Sequence, residues 1–126
     1  MDRYDPSQTP DPTEWLELDE QERILLVEQY HRRARVDLPN VKLHATIHVV
    51  VENQLASMDE PVVRALARLL KDRLSRHDAV HAIGSVVAEQ IYDLLKLKDA
   101  PETSRARYYA AIERLTAADW LDKGDG

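Results

Sequence analysis

Histidine is the residue type in this chain best suited to chemistry, and four of its five histidines form two pairs of identical spacing. His44 and His48 are four apart, as are His77 and His81, and Glu52 continues the first row by four more. On a helix, residues four apart lie about 40° apart around the axis and one turn along it, so each pair projects from one side. The flanking residues on those sides are Ile47, Val51 and Leu55 for the first pair and Gly84, Ala88, Ile91 and Leu95 for the second. Both rows are therefore expected to face inward. A buried imidazole without a partner costs on the order of 1–3 kcal/mol, so a cluster must be satisfied as a group. A divalent transition metal would do this: neutral imidazole suits zinc in a tetrahedral set, and iron, nickel, cobalt or manganese are compatible with imidazole and carboxylate. The candidate ligands are His44, His48, His77 and His81, with His31 and Glu52 as additions. Glu52 could equally act as a base beside an open coordination position.

Other readings use the same residues. The histidines could be core groups bonded to carbonyls, to Asn53, to Gln54 or to water, in a metal-free interaction module that works through its exposed faces. A metal-dependent hydrolase acting on a phosphate or amide is a third reading. Glu28-x-x-His31 matches the spacing of carboxylate-bridged di-iron bundles, which need further inward carboxylates. Glu89 falls about 80° from His81 around its helix and reads as solvated. His77-Asp78 is similar to the dipeptide of helical phosphohydrolases, but Asp78 is also explained as the partner of a Ser75 cap.

The elements that must position these residues are helical. The chain has 126 residues and only three glycines, and two of these fall in its last three positions, so little punctuates it into strands. The expected fold is all-α, a single domain over 1–126: an up-and-down bundle of four to five helices with a Pro-rich extended arm at 1–13 and a frayed tail at 122–126. Helices are expected at 19–34, 40–57, 60–72, 76–96 and 101–115, with a turn near Glu14 to Leu16 and a last turn from Thr116 to Trp120. Asn40, Asp59 and Ser75 are the expected caps, and Tyr4 and Trp15 could pin the arm. Short links make successive helices antiparallel, so the two bearing histidine pairs should run parallel, and His31 should reach the same end. Gly84 costs roughly 1 kcal/mol relative to alanine inside a helix, which close approach of the His44–His48 helix would justify.

Composition narrows the chemistry further. Without cysteine there is no thiolate site, iron–sulfur cluster or disulfide, so any metal must sit on nitrogen and oxygen. A net charge of -6 disfavours nucleic acid, and the row Arg64, Arg68, Lys71, Arg73 and Arg76 reads as a solvated face. No basic, apolar leader or spanning run of about 20 residues is present, which points to a soluble cytoplasmic protein with no membrane partner. The sequence names no partner, leaves a homo-oligomer open and does not decide whether anything is catalysed.

Over residues 30–95 the chain resembles a small bacterial family known as a domain of unknown function, the one numbered eighteen forty-one. The likeness rests on Tyr30-His31, on His44-x-x-x-His48 followed by Gln54, and on His77-x-x-x-His81 followed by Glu89. The chain departs in having Glu52-Asn53 where an Arg-Glu pair is usual, and Ser85 where a Glu often follows the second pair. The resemblance implies a small helical protein whose histidines act as a unit, and it implies no activity. It does not support Glu52 or Ser85 as ligands.

Overall fold

A sequence this poor in glycine has little to interrupt helix formation, and in the computed structural model every regular element among the described residues, 1–36 and 38–122, is helical. The helices are α1 (Pro12–Glu17), α2 (Glu20–Arg33), α3 (Val41–Ala56), α4 (Glu60–Lys71), α5 (Arg76–Leu97), α6 (Pro101–Arg114) and α7 (Ala117–Asp122). Five of the seven match the expected helices to within two residues. The other two are the six-residue α1 and α7, at places where only a turn was expected.

α1 forms because Pro12 occupies the first helical position and the Asp11 carboxylate accepts from the Glu14 N–H. The extended arm therefore ends at Asp11 rather than at residue 13. α2 opens on a reciprocal box between Asp19 and Glu22. Asn40 and Ser75 cap α3 and α5 as expected. Asp59 stands at the start of α4 but makes no side-chain cap; its carboxylate accepts from the Tyr109 hydroxyl at 2.9 Å instead. The tail from 122 lies outside the described residues apart from the backbone of Asp122.

Helices α2 to α5 end without glycine. Arg35, Met58, Arg73 and Lys98 all take positive φ, between 55° and 74°, at helix C-termini. In three of these endings the next N–H reaches back to the helix, from Val36 to His31, Asp59 to Gln54 and Leu74 to Leu69.

The apolar side chains form two clusters that share α3. Tyr4, Trp15, Ile24, Val27, Ala45 and Val49 gather the arm, α1 and α2 on one flank of α3. Val51, Leu69, Ile83, Val87 and Ile112 join α3 to α4, α5 and α6 on the other. The row His44, His48, Glu52 occupies the seam between them. α5 has 22 residues against 16 in α3, and its last turns outrun their neighbours. Ile91 and Leu95 are accordingly solvent-exposed, Leu95 by 76%, rather than on the buried stripe expected for them. No helix among the described residues is long and apolar enough to cross a membrane.

Candidate metal centre

Three helices bring the histidines together. His31 comes from the last turn of α2, His44 and His48 from the first half of α3, and His77 and His81 from the first two turns of α5. α3 and α5 meet closely because Gly84 has no side chain: a Cβ there would lie 3.0 Å from Ile47 Cγ2. Contacts pair His44 with His81 and Ile47 with Gly84 on one flank, while Arg76 reaches Glu52 on the other. The close approach at Gly84 lies three residues beyond His81 on α5 and beside His48 on α3.

One ligand nitrogen from each of His31, His44, His48 and His81 lies within 4.8 Å of the other three, the only such metal-sized group among the described residues. His81 Nε2 stands 2.8 Å from His48 Nε2 and 3.2 Å from His44 Nε2. Four nitrogens at a zinc-imidazole distance of about 2.0–2.1 Å in a tetrahedron would be roughly 3.3 Å apart, so the two contacts are already near ligand spacing. His77 stands beside this set, its ring 4.3 Å from that of His81 and its Nε2 buried with no hydrogen-bond partner.

The outer bonds fix which nitrogens carry protons. His31 Nδ1 is 2.8 Å from the Val27 carbonyl, which can only accept, so the proton is on Nδ1. Its Nε2 is then a bare lone pair, buried and without a partner. At His48 the tautomer is set by a chain of three groups. Arg76 donates to both Glu52 oxygens, at 2.9 Å from Nη1 and 2.8 Å from Nη2, so each oxygen acts as an acceptor. The Tyr4 hydroxyl gives its single proton to Glu52 Oε2 at 2.5 Å. Its oxygen can then only accept from His48 Nδ1, 3.2 Å away, and His48 Nε2 is left as a lone pair aimed at the centre. A single N–H on His81 can point along one of its two short N···N contacts, so the cluster is short of hydrogen where it is richest in nitrogen.

Protonating the rings is not a ready remedy. Burial, then the charges of His31 and His77, pushes His44 down to about 4. Burial, then His77, His44 and His31, pushes His81 down to about 3. His48 is driven lower still by burial and then by His81, and His77 falls by burial and then by His31. The Tyr4 hydroxyl is raised well above its ordinary value, first by burial and then by the Glu52 charge, which keeps it a donor. Burial opposes the charge on Arg76, yet Glu52 outweighs it and the guanidinium is held more firmly than usual.

The expectation for Glu52 as ligand or base meets a different arrangement. It is 1% exposed, and a carboxylate so deep needs a countercharge, which Arg76 supplies. It belongs to the shell behind His48, outside the four-imidazole group. Asn53 and Gln54, considered as histidine partners, accept instead from Trp15 and Arg23 and from Tyr108. The basic row is likewise only partly solvated. Arg76 is buried, and Arg68 donates to the carbonyls of Ile112 and Leu115 at the end of α6. Reading the sequence did not find Tyr4 and Arg76 as members of the site. A signal existed for Arg76: it precedes the second histidine pair as Glu52 follows the first. Tyr4 is 44 residues from His48 and had none.

Beside the imidazoles lies a cleft of about 450 Å3, walled by Ile47, Val80, Ala88 and Trp120. Compared with known proteins, the chain matches no protein-family model, no curated protein and no solved structure.

Proposed function

We propose that the protein binds a divalent transition metal through His31, His44, His48 and His81, with His77 in reserve at its edge. One observation carries this reading: two of the four inward nitrogens, on His31 and His48, are held as lone pairs by outward hydrogen bonds to Val27 and Tyr4. Metal-ligating imidazoles have this arrangement, with one nitrogen tied to an acceptor and the other free. An all-nitrogen set suits zinc, with cobalt and nickel as chemically similar occupants. The likeness to the family numbered eighteen forty-one belongs to the same proposal, since it groups the same histidines.

The test is metal analysis of untagged protein prepared without chelator, alongside His48→Ala and His81→Ala. The expected result is one metal per chain in the parent and a large loss in both variants. Zinc at a thousandfold excess over its dissociation constant should stabilise the parent by about 4 kcal/mol, reversed by chelator. No stoichiometric metal, and no shift in unfolding on adding zinc, cobalt or nickel, would refute the reading.

A metal-free interaction module is the second reading, supported by the exposed apolar end of α5, where Ile91, Leu94, Leu95 and Leu97 all face solvent. Sedimentation of the parent and of Leu95→Lys separates it: it requires an assembly that the variant loses.

A further inference from the structure

We propose that the cleft beside the imidazole set binds a small organic anion with an apolar body, its anionic head at the metal and its body against Val80, Ala88 and Trp120. The proposal rests on the metal reading above. Four neutral imidazoles bring no negative charge, so a divalent ion held by them keeps its full double positive charge. The one carboxylate on the histidine row of α3, Glu52, is already neutralised by Arg76. A net double charge beside apolar walls is poorly solvated, and an anion entering as a fifth ligand beside the four imidazoles relieves it. The walls select the body attached to that anionic head. The hydroxyl of Ser85, which also lines the cleft, donates to the Ala82 carbonyl at 2.6 Å, so the body of a ligand meets mainly carbon. The Trp120 ring lies 6.2 Å from that of His81 and is tilted by 58° to it, so an aromatic ring stands beside the imidazole set. A volume of about 450 Å3 is within the usual range for small-molecule sites.

The test uses the full chain loaded with cobalt(II), whose visible absorption reports its coordination, titrated with acetate, hexanoate and neutral hexanol. Hexanoate should change the spectrum saturably and bind roughly tenfold or more tighter than acetate, since each buried methylene adds affinity, while hexanol should leave the spectrum unchanged. Ala88→Phe fills the cleft from an exposed helix position; it should still bind cobalt but lose the preference for hexanoate. Cobalt bound with a spectrum indifferent to hexanoate would overturn the proposal and leave the metal reading standing. Equal affinity for acetate and hexanoate, or a preference that survives Ala88→Phe, would overturn the role of the cleft. A chain that binds no cobalt would overturn both.

Discussion

The row His44, His48, Glu52 has two ends that solve the same problem differently. At the Glu52 end, a buried carboxylate meets both Nη atoms of Arg76 and the Tyr4 hydroxyl, and both its oxygens are bonded. At the histidine end, nitrogen faces nitrogen at 2.8 and 3.2 Å, and His31 Nε2 faces no donor. At one end the carboxylate's bonding is complete within the protein, and Arg76 Nε is the buried atom there left without a partner; the other end becomes complete with a cation. The complete end also orients the incomplete one, because the chain Arg76–Glu52–Tyr4–His48 turns a lone pair inward.

Breaking the complete end should have the largest effect. Glu52→Ala leaves the Arg76 guanidinium buried and unpaired, and should lower stability by about 3–5 kcal/mol in urea unfolding. The double variant Glu52→Leu/Arg76→Met should recover much of that loss; equal damage in both would mean that shape, rather than charge pairing, is what matters there.

Acid probes the other end. In metal-free protein the folded pKa values of His44 and His81 lie near 4 and 3, against 6.5 for a free imidazole, and His48 is shifted the same way. Below pH 6.5 the unfolded chain binds protons that the folded chain refuses, so stability is full above about 6.5 and falls as pH drops toward 4. The expected loss by pH 5 is roughly 2 kcal/mol for an imidazole that keeps its full shift, and less for the half-buried His44 and His81. Thermal unfolding across that range checks it, and a flat midpoint would show that the rings protonate freely in the fold.

Tyr4→Phe tests the link between the ends. It removes the acceptor for His48 Nδ1–H and should weaken zinc roughly 10–100-fold with a smaller loss of stability. Unchanged affinity would mean that His48 finds its tautomer by another route. The smallest effect lies at a helix end away from both and serves to calibrate them. Met58 is 68% exposed with φ of 58°, so Met58→Gly should stabilise by about 0.5–1 kcal/mol with metal affinity unaltered.

Much of the fold was legible because its signals are local. Apolar periodicity and the caps at Asn40 and Ser75 mark α3 and α5 to within a residue of their observed bounds. The scarcity of glycine did not blur the helix ends, since short links, prolines and caps located them while Arg35, Met58 and Arg73 took the left-handed positions. α1 and α7 were harder: six residues carry little periodicity. The exposure of Leu95 was illegible for another reason, because a helical stripe does not say where its neighbours stop.

The histidines illustrate the same division. Spacing alone placed each pair on one helical face and, with apolar flanks, turned it inward, because side-chain direction on a helix follows from sequence position. Which nitrogen of each ring looks inward, that Glu52 is claimed by Arg76, and that Tyr4 from the N-terminal arm sets the tautomer of His48 were decided only by tertiary structure. Hydrogen bonds between residues 24 to 48 positions apart depend on where whole helices cross, and no local pattern encodes that.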